Sequence, residues 1–312
     1  MIRRLTSAPG VVLVSIAAAM WGLDALIRKP LAQSTSATTI VFGEHVVLVA
    51  CTATLLVPAL AGLWRAGIRY VVAAVFVGAG ASAIATILLT QALITSHFDI
   101  VTIYVLQKAQ PLVAVAGAWL VLGEQPRRGF AWFLLPALAG IWLIALPHPL
   151  APHAHGLTPI AETLGAALLW GLGTVLGRYL TRRLTFEHVT TVRFAFGLVA
   201  SACALPVVGT AAWSGVHDSS YIAVLALVTG LAALFLYYYG LQRTPALLSA
   251  IGELAFPVTA TLIGIYVFGN SLRWTQWIGV AVTVGVVSLL PVRRRTIVRA
   301  PAPDLVPAHA AS

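Results

Sequence analysis

Ten stretches of this sequence are each apolar over roughly the length a helix needs to cross a bilayer, about 20 residues, and only short basic or Pro- and Gly-bearing segments separate them. They run over 11–32, 39–63, 70–94, 99–122, 129–147, 159–180, 188–209, 221–242, 246–268 and 275–292. With 60% of 312 residues hydrophobic, 9% charged and a mean hydropathy of +0.94, the chain has too much apolar surface to hide as a water-soluble domain. The expected fold class is therefore an all-α membrane protein with ten transmembrane helices, and no loop is long enough to fold separately. The basic start and alanine run of the first span raise a cleaved signal peptide as an alternative. That span continues past the alanines and has a counterpart later in the chain, so it is read as a helix.

The basic residues set an expected orientation. With a cytoplasmic N-terminus, Arg3, Arg4, Arg65, Arg69, Arg127, Arg128, Arg178, Arg182, Arg183, Arg243, Arg293, Arg294, Arg295 and Arg299 flank cytoplasmic ends, against Arg28, Lys29 and Arg273 outside. Both termini are then cytoplasmic and the protein is a multi-pass component of the cytoplasmic membrane. The net charge of +10 reads as this topology signal together with attraction to anionic lipid. A nucleic-acid partner would need a clustered soluble basic face, which the sequence lacks. Residues 293–312 read as a disordered cytoplasmic tail. Cys51 and Cys203 lie in separate apolar runs and read as packed small hydrophobes.

The chain also repeats itself. AAAMWGLDALIRKPL (17–31) aligns with AALLWGLGTVLGRYL (166–180) at an offset of 149, which also carries Glu44 onto Arg193. QKAQPLVA (107–114) matches ELAFPVTA (253–260), Leu122-Gly123-Glu124 matches Phe268-Gly269-Asn270, and Trp132 with Gly140 matches Trp277 with Gly285. The expected domains are a first repeat over 11–147, helices one to five, and a second over 159–292, helices six to ten. Five helices is an odd number, so the second copy enters the membrane from the opposite side. Inverted repeats of this kind suit alternating access around a midplane site.

These residues resemble the drug/metabolite transporter superfamily, specifically its ten-helix proteins with two EamA domains. The resemblance spans 11–292. It rests on the Trp-Gly pairs Trp21-Gly22 and Trp170-Gly171, Ala92-Leu93 ending helix three, Pro111 and Pro257 midway along helices four and nine, and Leu-Gly-Glu closing helix four. It implies transport of small metabolites, amino acids or drugs, with helices four and nine near the central pathway and five and ten peripheral. The chain departs from the family pattern at Gln110 and Phe256, which stand before the two prolines where Glu is common, at Asn270, and at Glu44 where Arg is common.

Five charged residues fall inside apolar spans: Asp24, Glu44, Lys108, Arg193 and Glu253. A charge at mid-bilayer costs about 2.5–3.5 kcal/mol even on lenient insertion scales, so such residues are expected to border a wet cavity between the bundles. On helix four, Tyr104, Gln107, Lys108 and Pro111 share one face, with Gln110 beside them. Each proline removes a helical hydrogen bond and frees a carbonyl one turn back. Pro257 does so in the second copy, where Ser249, Gly252, Glu253 and Phe256 form the matching stripe. Helix three contributes Ser82, Thr86 and Thr90 at four-residue spacing, and helix eight contributes Tyr237, Tyr238 and Tyr239, with Tyr239 assigned to the site. Trp21 and Trp170 read as aromatic walls or as interface anchors. The bland alternative is buried ion pairs that fix helix packing, such as Glu44 with Lys108 and Glu253 with Arg193.

The substrate-binding set expected from sequence is thus Trp21, Asp24, Glu44, Thr86, Tyr104, Gln107, Lys108, Gln110, Pro111, Trp170, Arg193, Tyr239, Glu253 and Pro257. Lys108 suits a carboxylate and Glu253 or Asp24 an amine, so an amphoteric solute would satisfy both. Glu44 beside His45 raises proton coupling, although adjacent residues on a helix point about 100° apart. His148, His153 and His155 fit no closed metal site and lie in a Pro-rich linker, and Glu124 suits an ion pair with Arg127 or Arg128. GxSxG, HExxH, a GxGD-like aspartate pair and a Walker sequence are all absent, which argues against an intramembrane enzyme and direct ATP drive. The expected function is a secondary transporter of a small organic solute, an exporter without cofactor or metal, whose partners are the solute and the lipid bilayer. A flippase for a lipid-linked solute and a non-transporting receptor or scaffold are the alternatives.

Overall fold

The computed structural model describes residues 10–95, 103, 106–107, 109–124, 129, 131–145, 157–267 and 272–289. All regular structure among them is helical. In the first half these are α1 (Gly10–Gly22), α2 (Asp24–Ser34), α3 (Ala37–Ala66), α4 (Ile68–Val75), α5 (Ala85–Thr95), α6 (Gln110–Leu122) and α7 (Ala131–Ala145). In the second they are α8 (Leu157–Leu180), α9 (Phe186–Val208), α10 (Gly215–Leu225), α11 (Ala233–Leu241), α12 (Ala246–Gly252), α13 (Ala255–Tyr266) and α14 (Trp274–Ser288). A π-helical segment, Phe76–Ile84, joins α4 to α5, and another, Ala226–Ala232, joins α10 to α11. Among the described residues, seven continuous helical stretches are long and apolar enough to cross a bilayer, and three shorter apolar helices follow other expected spans. The protein is an all-α, multi-pass membrane protein.

The internal repeat reappears in local chemistry. Ser36 caps α3 by accepting from the Thr39 amide at 3.2 Å, and Thr185, at the repeat offset, caps α9 by accepting from the His188 amide at 3.4 Å. Each hydroxyl satisfies an amide that has no partner within its helix. The π segments also fall at matching places.

Helix packing follows the same exchange. α1 lies against α11 and α13, and its counterpart α8 lies against α5 and α6. α3 pairs with its own copy α9, and α7 with its copy α14. In the α3–α9 pair, Gly197 meets His45 while Gly62 meets His188, so the copies run antiparallel. Two copies that pack antiparallel are related by an axis across the bundle, so the second half is turned over relative to the first. Close approach depends on small residues, as is common between membrane helices. A Cβ at Gly171 would sit 2.7 Å from Val113 Cβ, and one at Gly173 would sit 2.4 Å from Ala81 Cβ.

Two expected spans are interrupted. The first bends at Leu23, whose amide bonds Met20 O at 3.0 Å in a tightened turn before α2 begins at Asp24. The ninth breaks between α12 and α13, because Pro257 has no amide to give the Glu253 carbonyl; the Phe256 amide takes that carbonyl at 3.1 Å instead. Both breaks bring polar groups to the middle of the bundle.

Candidate functional site

A cavity of about 200 Å³ lies where the two halves meet. The first half lines it with Trp21, Asp24, Arg28, Glu44, His45, Ser82, Thr86, Thr90, Gln107, Gln110 and Pro111, and the second with Trp170, Thr174, Arg193, Thr229, Tyr237, Glu253 and Phe256. Three ionic groups organise its wall.

The first is centred on Arg28. Its Nε bonds Asp24 Oδ2, its Nη2 reaches Asp24 Oδ1 at 2.9 Å and Glu44 Oε1 at 2.7 Å, and its Nη1 donates to Thr90 Oγ1 at 3.3 Å. The assignment of Arg28 to the outer flank is therefore corrected: it is 6% exposed and faces inward. Asp24 opens α2 and Arg28 follows at i+4, so the two share a face, while Glu44 on α3 lies opposite. One guanidinium joins two carboxylates that would each be costly to bury alone. Glu44 pairs here with Arg28.

Glu253 is the second. Gln110 Nε2 donates to its Oε2 at 2.6 Å, and Tyr237 OH and Thr174 Oγ1 donate to its Oε1 at 2.8 and 3.1 Å. The donors come from α6, α11 and α8, so this carboxylate ties three helices to the break ahead of α13. Trp21 links the two clusters, with its ring 5.1 Å from that of Tyr237 and its Nε1 donating to Thr229 O at 3.1 Å.

Arg193 on α9 is the third. Its Nε donates to Ser82 Oγ at 3.2 Å, its Nη1 to Tyr238 OH at 3.1 Å and its Nη2 to Ala81 O at 3.0 Å. The pairing of Arg193 with Glu253 weighed from sequence is corrected, since no ion pair joins them. The π-helical segment Phe76–Ile84 and α9 meet so closely at Gly78 that the chain around Ala81 and Ser82 is within reach of the guanidinium. His45 faces this cluster and not Glu44: its Nε2 lies 3.0 Å from Ser82 Oγ and its Nδ1 2.7 Å from Val41 O. A carbonyl can only accept, so Nδ1 carries the proton that goes to Val41.

Of the sequence-predicted residues, Trp21, Asp24, Glu44, Thr86, Gln107, Gln110, Pro111, Trp170, Arg193 and Glu253 line this one cavity. Tyr239 and Pro257 do not. The Tyr239 ring packs on Phe186 at 4.9 Å and under the Arg243 guanidinium at 3.5 Å, and Tyr237 takes the inward place on that helix. Pro257 is buried and acts through the helix break. Tyr104 and Lys108 lie outside the described residues, as do His148, His153, His155, Arg127 and Arg128. Glu124 accepts from the Leu247 amide at 3.5 Å. Sequence reasoning missed Arg28, Thr174 and Thr229. The i, i+4 pair Asp24–Arg28 was the available signal for the first; the two threonines carry none beyond lying in apolar spans.

Known proteins resemble this chain in sequence and fold. Residues 159–290 match the model of the EamA-like transporter family. The chain is 26% identical over 288 residues to a protein named riboflavin transporter ImpX from Fusobacterium nucleatum subsp. nucleatum, covering 86% of this chain and 92% of that one. It is 26% identical over 293 residues to a Bacillus subtilis protein named uncharacterized transporter YwfM, covering 91% of this chain and 95% of that one. A solved crystal structure aligns with a TM-score of 0.69 at 18% identity over 90% of this chain and 96% of that one, a likeness of fold. Inverted helical halves around a charged cavity and these relatives define a membrane transporter. The family match over residues 159–290 and the relatives named as transporters support membership of the EamA-like transporter family.

Proposed function

We propose that this chain is a secondary transporter that carries a small organic metabolite across the cytoplasmic membrane by alternating access, in the direction of export and with both termini cytoplasmic. The observation that carries the reading is the cavity itself, built by both halves at the contact between inverted copies and lined by Asp24, Arg28, Glu44, Arg193 and Glu253. Two related halves around one site can expose it to either side by exchanging conformations. The residues proposed to meet the solute are Trp21, Asp24, Glu44, Thr86, Gln107, Gln110, Pro111, Trp170, Arg193, Tyr237 and Glu253. The volume of about 200 Å³ lies below the range of about 300–1,000 Å³ usual for drug-sized ligands. That favours a solute of amino-acid size, and the named relative makes riboflavin a second solute to test.

The purified protein is reconstituted in liposomes, and uptake of labelled amino acids, amines and riboflavin is followed with an imposed solute or proton gradient and no ATP. Saturable uptake of at least one solute, abolished by Glu253→Gln, is expected. Uptake no faster than in protein-free liposomes for every solute, from protein that elutes as a monodisperse folded species, would refute the proposal.

A further inference from the structure

The ionic groups of the cavity differ in how they are satisfied. Arg28 has two carboxylates and a threonine hydroxyl, and Glu253 receives three donors. Among the described residues, Arg193 holds only neutral oxygens: two hydroxyls and one carbonyl. These take one N–H from each of its nitrogens, so each terminal nitrogen keeps one more N–H. The side chain is half-buried and lines the cavity. A guanidinium in a low-dielectric wall, balanced by dipoles alone, is where an incoming anion gains most.

Its surroundings are built to hold it. A Cβ at Gly177 would lie 2.8 Å from the Tyr238 ring, and one at Gly197 would lie 2.3 Å from the His45 ring, so both glycines make room for groups that brace Arg193. Tyr238 is fully buried and its hydroxyl accepts from Arg193. Ser82 accepts from Arg193 Nε, and His45, whose Nδ1 proton goes to Val41 O, holds its Nε2 3.0 Å from the Ser82 hydroxyl. The hydroxyl oxygen is thereby turned towards the guanidinium. Elsewhere on the wall, Gln107 Oε1 is a buried acceptor with no donor among the described residues, on a residue 6% exposed, and suits an N–H or O–H at a neutral part of the same solute.

Resting on the transporter reading above, the geometry points to Arg193 as the anchor for an oxyanion of the transported solute, a carboxylate or a phosphate, with Ser82, Tyr238 and His45 as positioning residues. The solute is then an organic acid, a zwitterion or a phosphate ester, and purely cationic or neutral solutes bind without this contact.

The test uses the full-length protein in detergent and matched probes of one ring size: benzoate and phenyl phosphate against benzamide and benzylamine, each titrated while thermal unfolding is followed at constant ionic strength. Benzoate, phenyl phosphate or both should raise the unfolding temperature saturably where benzamide and benzylamine do not, and the one that does so names the anion. Arg193→Gln should weaken that binding by about tenfold or more, the loss of a hydrogen bond to a charged group. Arg193→Lys should retain part of it, and Tyr238→Phe, which keeps the charge, should weaken it by a smaller factor. Equal stabilisation by benzoate, phenyl phosphate and benzamide in the parent protein, a comparison that needs no variant, would overturn the assignment. So would unchanged oxyanion binding in a folded Arg193→Gln protein. Gradient-driven flux of some solute without oxyanion binding would leave the transporter reading standing and remove this one. Oxyanion binding through Arg193 without flux of any solute would do the reverse.

Discussion

Arg28 Nη2 lies 2.9 Å from Asp24 Oδ1 and 2.7 Å from Glu44 Oε1, so a single guanidinium bridges the break in the first span to α3. Removing it leaves the buried Glu44 carboxylate facing the half-buried carboxylate of Asp24. Arg28→Met is expected to destabilise the fold by about 3–5 kcal/mol, the usual consequence of breaking a buried ionic group by deleting one partner. The triple change Asp24→Asn, Arg28→Met, Glu44→Gln should recover most of that loss. Thermal or denaturant unfolding in detergent measures both, and an Arg28→Met protein as stable as the parent would show that the bridge contributes nothing.

Tyr237 OH and Gln110 Nε2 bind opposite oxygens of Glu253, at 2.8 and 2.6 Å. Tyr237→Phe removes one charge-assisted bond and keeps the ring on Trp21, so a loss of about 1.5–3 kcal/mol is expected from the site, read as a tenfold or larger fall in transport efficiency. Glu253→Gln should lose more. A Tyr237→Phe protein with parental transport would remove that hydroxyl from the site.

Gly197 and Gly285 give a paired test of packing. A methyl at Gly197 would come within 2.3 Å of the His45 ring, whereas a Cβ at Gly285 would meet nothing within 4 Å. Gly197→Ala should cost about 1–3 kcal/mol through helix displacement. Gly285→Ala should be neutral or stabilise by up to about 1 kcal/mol, because glycine is a poor helix former. The reverse order in unfolding temperature would contradict the close α3–α9 contact.

Water access can be mapped with thiols. Cys51 and Cys203, expected from sequence to be packed, are instead exposed on the outer surface of the bundle and would be replaced by serine. In that background Thr86→Cys, on the cavity wall, should react with a charged methanethiosulfonate reagent. Thr283→Cys, on fully buried α14 surface, should not. Equal labelling of the two would mean that the cavity is not hydrated.

The sequence carried the fold because two physical requirements leave plain marks. A bilayer needs apolar runs of fixed length, and a duplication repeats side chains such as the Trp-Gly pairs at a fixed offset. Ionic residues in apolar spans were equally legible, and Asp24, Glu44, Arg193 and Glu253 all border the cavity. What could not be read was partner choice. Arg28 lies at the end of an apolar run and counts as a flank until the break at Leu23 turns it inward. Three consecutive tyrosines cannot be sorted by periodicity once the preceding turn is π-helical, and Tyr237, not Tyr239, faces the cavity.

Those wider turns also explain a regularity that an ordinary helix would spoil. Residues four apart on an α-helix slip by about 40° each step, so a line from Gly78 through Ser82 and Thr86 to Thr90 would wind about 120° around its rod. The π-helical stretch Phe76–Ile84, with its longer hydrogen-bond reach, takes up much of that slip, and Ala226, Gly230 and Leu234 stand in the same relation to the stretch Ala226–Ala232. Ser82, Thr86 and Thr90 line the chamber from the first half, and Ala226, Thr229, Gly230 and Leu234 from the second.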